Sequence, residues 1–202
     1  MRKSNKLVCG LGNKGIKYPA YINSKPVKEY TAWKTMLFRC TEKFWVTRPS
    51  YVGTTCSENF KSYTYFYEWC QKQIGFNSKD GDGKQWCLDK DILIKGNKLY
   101  SEDNCVFVPN SVNNLLIKSD ASRGEYPIGV CWCKSHNKFM VQCNNGRGNT
   151  VRVTGFNTYQ EAFKIYKTLK ESYVKQVAEE YKHQLDLRVY NALVDYQVDI
   201  ED

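Results

Sequence analysis

The middle of the chain contains two carboxylates and one amide that could together bind a hard divalent cation. Asp89 and Asp91 follow a short apolar run and flank Lys90, and Asn113 comes a little further along. Carboxylate and amide oxygens suit Mg²⁺, which is the cofactor this set would hold. The alternative is that Asp89 and Asp91 only end a strand and accept turn hydrogen bonds.

Lys90 lies between the two carboxylates, and this position limits the chemical roles that its ammonium can have. An ammonium accepts a proton only where burial lowers its pKa by several units, and neighbouring carboxylates shift the pKa in the opposite direction. Beside a metal site, Lys90 is therefore expected to contact a phosphate rather than to serve as a base.

Apolar runs and turn signals predict the elements that position these side chains. Runs at 85–88 and 105–108 are predicted strands, and a short helix follows from Pro109 through Leu116. The order is therefore strand, loop, strand, helix, and the loop carries Lys95-Gly-Asn-Lys98.

Upstream of this module, apolar stripes at three- and four-residue spacing predict two helices. The first begins at Val27. The second is capped by Ser57 and ends at Gly75.

The C-terminal part changes to an alternating pattern that is typical of strands. Alternation over 128–133, 138–143 and 150–153, separated by turn residues, predicts a three-stranded antiparallel meander. Thr158 is then placed to cap a long helix, and a final helix is predicted around 185–194.

Charge along the sequence favours a polyanionic partner. The net charge is +9, but residues 183–202 carry −4, so the rest of the chain is more strongly basic. Nucleic acid is the usual partner of such a protein, although some basic proteins are merely soluble. The chain has no apolar stretch of membrane-span length, so we expect no membrane partner.

The cysteines indicate a reducing compartment. All nine lack the paired CxxC spacing of zinc modules, and the N-terminus has no export signal, so we expect free thiols and a cytoplasmic protein. Cys131, Cys133, His136 and Cys143 have ligand types that zinc accepts, but CxC spacing on a strand is a weak signal, and we expect no zinc.

Landmarks between Gly129 and Tyr166 resemble the AP2 DNA-binding domain. They are Gly129-Val-Cys-Trp, Lys138-Phe-Met-Val-Gln, Gly155-Phe-Asn-Thr and Glu161-Ala with Tyr166. The resemblance implies a sheet whose exposed face enters the DNA major groove. Arg and Gln side chains there can make bidentate base contacts, while the strand register, and so the exposed face, stays open. Candidate contacts to phosphates and bases are Cys133, Lys134, His136, Gln142, Asn144, Arg147 and Arg152.

The stretch before it resembles the HNH, or ββα-metal, nuclease motif. It is carried by Leu88-Asp-Lys-Asp-Ile, by Asn104-Cys-Val-Phe-Val-Pro and by the pair Asn113-Asn114. The resemblance implies catalytic roles for Asp89, Lys90, Asp91, Asn104 and Asn113, with Asp89, Asp91 and Asn113 as metal ligands and Lys90, Lys95 and Lys98 as DNA contacts. The module lacks the histidine that would deprotonate the attacking water, since both histidines lie further along the chain.

A chain that combines these two modules resembles the homing-endonuclease-type proteins of bacteriophages. The expected fold is α+β: a helical N-terminal region with the HNH-like module (1–117), a linker (118–126), an AP2-like domain (127–182) and a C-terminal helix with an acidic tail (183–202). If the chain is phage-encoded, its compartment is the host cytoplasm.

Two functional hypotheses follow from this fold. The first is a sequence-preferring double-stranded DNA-binding protein whose nuclease site is degenerate. The alternative is an active, Mg²⁺-dependent HNH-like homing endonuclease or nickase. A protein–protein inhibitor using the tyrosine-rich surface has no positive support in the sequence, and the oligomeric state is left open.

Overall fold

The structure, a computed structural model, describes residues 6–117 and 124–202 and combines helices with small, mostly antiparallel sheets. The predicted α+β class is therefore confirmed. Contacts divide the chain into two units, Met1–Val108 and Pro109–Asp202. Most of the linker predicted at 118–126 lies outside the described residues, and the proposed boundary at 117 stays a prediction.

Two aromatic-rich helices form the centre of the first unit. Helix α1 (Lys28–Arg39) and helix α3 (Tyr63–Gln71) lie against each other. Trp33 is fully buried, and its indole nitrogen donates to the carbonyl of Phe60 at 2.7 Å. The unit also contains the short elements β1 (Tyr21–Ile22), β2 (Lys25–Pro26), α2 (Glu42–Trp45) and β3 (Thr55–Cys56).

The start of α3 differs from the prediction. Ser62, and not Ser57, caps the helix, because its hydroxyl accepts from the backbone N–H of Tyr65 at 3.4 Å. Ser57 instead accepts from the N–H of Phe60 and donates to Glu102 at 3.0 Å. A separate 3₁₀ turn intervenes between the two serines.

The two strands predicted at 85–88 and 105–108 are present and form an antiparallel pair. Strand β4 (Cys87–Asp89) pairs with β6 (Val106–Val108), with Asp89 opposite Val106. Strand β5 (Leu99–Tyr100), which lies between them in sequence, pairs in parallel with β3. All three residues of β6 are buried, so this strand anchors β4 to the core of the unit.

The predicted helix after Pro109 is present as α4 (Asn110–Leu116) and belongs to the second unit. It buries Val112 and Leu115 completely. Within the second unit, the Ser111 hydroxyl reaches the Tyr181 hydroxyl at 3.5 Å, which ties α4 to the long C-terminal helix.

The predicted three-stranded meander is confirmed. Strands β7 (Val130–Cys133), β8 (Lys138–Asn144) and β9 (Thr150–Phe156) are antiparallel and adjacent in that order. The register between β8 and β9 shifts between Phe139 and Met140, where a bulge interrupts the ladder.

A single long helix, α5 (Tyr159–Tyr181), covers one face of this sheet. The predicted cap at Thr158 is present as a full capping box with Glu161, which satisfies the first backbone N–H groups of the helix. The core lies between the sheet and α5, and its buried members are Val130, Val141, Cys143, Ala162, Phe163, Tyr166 and Val198.

The acidic C-terminal end returns to the helix side of the sheet. After α6 (Leu187–Val194), Val198 is buried in the core. Lys167 donates to the Val198 carbonyl at 2.6 Å, and the Val198 N–H donates to Glu171 at 3.0 Å. Among the helices of the described residues, none has the length and apolar character needed to cross a membrane.

Gly129 precedes β7 at a point of close approach between the sheet and α5. Its φ is +75°, and a Cβ there would lie 2.1 Å from ring carbons of Tyr166. We expect Gly129→Ala to lower the free energy of unfolding by more than about 3 kcal/mol, because both the backbone and the core must shift. Urea denaturation measures this loss.

Gly148→Ala is the matched control. Gly148 also has a left-handed backbone, with φ +84°, but an added Cβ there meets no atom within 4 Å. Only the backbone cost of about 1–2 kcal/mol is expected. Equal losses in the two variants would contradict the close packing at Gly129.

Candidate nucleic-acid interface

The face of the β7–β9 sheet turned away from α5, here called the outer face, is a platform of polar and sulfur-containing side chains. Strand alternation directs Val141 and Cys143 into the core, so the residues between them point outward. The outer face consists of Cys131, Cys133, Lys138, Met140, Gln142, Asn144, Thr150, Arg152 and Thr154.

Gln142 and Arg152 are the two outer-face side chains best suited to contact bases. They are exposed and directly opposite each other on β8 and β9. Asn144 occupies the next outward position of β8, opposite Thr150. The register therefore places three of the predicted contact residues on one exposed surface.

The β7–β8 turn holds a hydrogen-bonded cluster at one end of the sheet. His136 Nδ1 lies 3.2 Å from the Cys133 sulfur and 3.0 Å from the Ser135 hydroxyl. The hydrogen bonds from Ser135 and His136 lower the pKa of the Cys133 thiol to about 7. Lys134, in the same turn, is exposed.

Arg147 lies in the β8–β9 turn and is paired with Glu180 of α5. Both side chains are about half exposed, and an exposed pair of this kind contributes about 0–1 kcal/mol. Arg147 is therefore at the edge of the sheet, with its charge partly compensated by the helix.

The charge of the sheet region has one sign. Residues 127–156 contain no Asp or Glu and four basic residues, Lys134, Lys138, Arg147 and Arg152. Residues 157–202 contain six basic and nine acidic residues. The sheet is thus the basic part of the second unit, and most of the acidic excess lies in the C-terminal residues 195–202.

The cysteines and histidine considered for zinc do not converge. Cys143 is fully buried on the core side, whereas Cys131 and Cys133 belong to the outer face. Across residues 6–117 and 124–202, no group of three or more His, Cys, Asp or Glu side chains is arranged to hold a metal ion.

In the first unit, Asp89 is the last residue of β4, and its carboxylate stabilises the tight turn that follows. Its Oδ1 accepts from the N–H groups of Asp91 at 2.9 Å and Ile92 at 2.8 Å. Burial and the nearby charge of Asp91 raise the pKa of Asp89 to about 6, against the opposing effect of these hydrogen bonds and of Lys90. Asp89 therefore makes the turn hydrogen bonds that the alternative to a metal site predicted.

Lys90 is buried rather than exposed, unlike a phosphate contact. Its side chain is 8% exposed, and Nζ lies 3.0 Å from Asp91 Oδ2. The ammonium also lies 5.5 Å from the ring centre of Tyr51 and 5.9 Å from that of Tyr100. Cation–π contacts at these distances stabilise a charge with few other partners.

Arg39 completes this cluster and was not predicted from the sequence. Its guanidinium lies 5.7 Å from the Tyr51 ring, and Nη1 donates to the Tyr100 hydroxyl at 3.3 Å. Two cations thus share two tyrosine rings beside the end of β4. The local sequence gives no sign of this, because Arg39, Tyr51 and Lys90 are far apart in the chain.

The loop after Lys90 carries the two other predicted DNA-contacting lysines of this unit. The amide nitrogen of Asn97 donates to the carbonyl of Lys90 at 2.6 Å and to that of Leu99 at 2.8 Å, which closes the loop. Lys95 and Lys98 are exposed on it, and the Lys98 ammonium donates to the carbonyl of Ser50.

The remaining predicted catalytic residues do not complete a magnesium site within the first unit. Asn104 is half-buried in the turn before β6, and Asn113 is on α4 of the second unit. One oxygen of Asp89 is used by backbone N–H groups, and one oxygen of Asp91 is used by Lys90. The two carboxylates alone are a poor fit to Mg²⁺, which requires a near-octahedral set of oxygens.

Comparison with known proteins adds no family to this description. No family model matches the chain, and no solved structure matches it. The similarities to AP2 and HNH proteins therefore rest on sequence landmarks and remain hypotheses.

The raised pKa of Asp89 makes stability depend on pH. Folding favours the protonated form of Asp89, because its pKa is about 6 in the folded protein and about 4 in the unfolded chain. The free energy of unfolding therefore falls as the pH rises from about 4 to about 6. We expect Asp89→Asn, which keeps an oxygen acceptor, to stabilise the protein by about 1–3 kcal/mol at pH 7. The gain should vanish near pH 4, as measured by urea denaturation.

Asp82→Asn is the control with the same chemical change. Asp82 is 80% exposed and lies 3.6 Å from Lys84. We expect this substitution to change stability by less than about 0.5 kcal/mol at either pH. An Asp89→Asn effect of equal size at both pH values would show that the carboxyl is not destabilised by its charge.

Proposed function

We propose that the protein binds double-stranded DNA with sequence preference through the outer face of the β7–β9 sheet. The observation that carries this proposal is the exposed pair Gln142 and Arg152, directly opposite each other on a basic sheet without carboxylates. The major groove admits a β-ribbon, and there Arg can make bidentate contacts to guanine and Gln to adenine.

Phosphate contacts would come from the edges of the same sheet. Lys134 and Arg147 belong to the two turns, and Lys138 is the first residue of β8. Contacts of this kind fix the position of a protein on the duplex but carry no sequence information. The cations at the edges are thus separate from the pair Gln142 and Arg152, and this separation supports specific binding over purely non-specific binding.

A degenerate nuclease site is the better of the two hypotheses for the first unit. Lys90 is buried against Asp91, the first unit contains no histidine, and the carboxylates already serve a turn and an ion pair. The active-nuclease alternative is favoured by one feature, a buried carboxyl beside a second carboxylate: burial and, to a lesser extent, repulsion from Asp91 raise the pKa of Asp89. A divalent cation would relieve that repulsion.

Arg152→Ala should reduce specific DNA binding. We expect the affinity for a duplex selected from a randomised library to fall by about 5- to 150-fold, because a bidentate base contact is worth about 1–3 kcal/mol. Binding to unrelated duplex DNA should change much less. Fluorescence anisotropy at fixed salt measures both.

Lys164→Ala is the matched control, since Lys164 is an exposed cation on α5, across the core from the outer face. It should leave the preference for the selected duplex unchanged. An equal loss in both variants would mean that only net charge matters, and loss in neither would reject the outer face as the binding surface.

The proposal also predicts that cleavage is absent. Supercoiled plasmid incubated with the protein and Mg²⁺ or Mn²⁺ should remain supercoiled, because the first unit contains no histidine and its two neighbouring carboxylates already serve a turn and an ion pair. The control is the Asp89→Ala, Asp91→Ala double variant. Metal-dependent nicking that disappears in this variant would establish the active nuclease instead.

A further inference from the structure

The centre of the outer face is an apolar row. Cys131, Met140 and Thr154 are directly opposite one another on β7, β8 and β9. Cys131 and Met140 are half-buried, and Thr154 is exposed. The core of the unit is on the other face, so these side chains do not contribute to it.

The sulfur of Cys131 behaves as a neutral apolar atom in this row. Its thiol interacts with the Met140 carbonyl at 3.8 Å. Burial raises the pKa of Cys131, and the nearby charge of Arg152 only partly opposes this effect. The thiol therefore remains protonated at neutral pH, and the row carries no charge.

The apolar row adjoins the pair Gln142 and Arg152. These side chains are two residues further along the strands, which is about 7 Å, or roughly two base-pair steps of 3.4 Å. A duplex in contact with the guanidinium and the amide would therefore also place base edges against the apolar row.

One group on the major-groove edge of the four bases is apolar, the C5-methyl of thymine. Cytosine presents an amino donor at its edge of the groove, and such a donor would lose its hydrogen bonds against Met140 and Cys131. Thr154 adds a methyl group and a hydroxyl, and a hydroxyl can donate to thymine O4.

We propose that Cys131, Met140 and Thr154 form a thymine-recognising row, which contacts C5-methyl groups of the bound duplex. This inference rests on the proposed DNA binding through the outer face. It specifies the preferred sites: thymine stands within about two or three base pairs of the guanine or adenine that Arg152 and Gln142 contact.

The test uses the full-length protein and the duplex that it selects from a randomised library. Each thymine of that duplex is replaced in turn by deoxyuridine, which removes one methyl group and keeps the base pair. We expect one or two positions to weaken binding about three- to fivefold, the effect of one buried methyl group. Anisotropy titration gives the dissociation constants.

Two substitutions of Met140 connect the methyl effect to the row. Met140→Leu keeps an apolar side chain and should keep the preference for thymine over uracil at those positions. Met140→Gln has similar length but is polar, and it should abolish that preference while duplex binding persists. Thermal unfolding of both variants verifies that the sheet is intact.

The outcomes separate this inference from the proposed function. A selected duplex whose affinity is the same with uracil at every position overturns the thymine-recognising row and leaves DNA binding in place. An unchanged thymine preference in Met140→Gln also overturns it. If no duplex is enriched or bound, the proposed function fails, and the thymine-recognising row fails with it.

Discussion

The packing of α5 on one face of the β7–β9 sheet is the constraint on which the rest of the second unit depends. Val141 and Cys143 are fully buried against this helix, and the approach is so close that only glycine fits at position 129, beside Tyr166. Because strand residues alternate between faces, burying these two positions forces Met140 and Gln142 outward. The composition of the outer face is thus a consequence of the core.

Sequence patterns predicted the strands and helices of this unit better than they predicted which residues lie on each face of the sheet. Alternation located β7, β8 and β9, and the Thr158 cap located the start of α5, because both signals are local. The register depends on contacts between distant residues, and a slip of one residue would exchange the faces. The bulge at Phe139 and Met140 shows why counting along a strand is insufficient.

At the end of β4, the sequence identified the notable residues but not their surroundings. The neighbours Asp89, Lys90 and Asp91 were identified as chemically notable from sequence, and a charged lysine was expected to face a phosphate. The structure buries Lys90 instead, because the rings of Tyr51 and Tyr100 and one carboxylate together replace its water. Those rings are contributed by separate segments, so no local pattern could reveal them. A carboxylate pairing with a buried ammonium is also less available to a metal ion.

In the proposed DNA complex, affinity and specificity would have different sources. Each phosphate contact contributes about 0.9 to the salt slope of binding, so the four cations of the sheet region account for a slope of at most about four. A steeper slope would require contacts outside the sheet region, and residues 1–108, with 18 lysines and arginines against 10 acidic residues, are the most basic remaining part of the chain. The uncharged centre of the outer face adds nothing to the slope. In the proposed complex its contribution would depend only on which base edges it meets, because base contacts, unlike phosphate contacts, distinguish one DNA sequence from another.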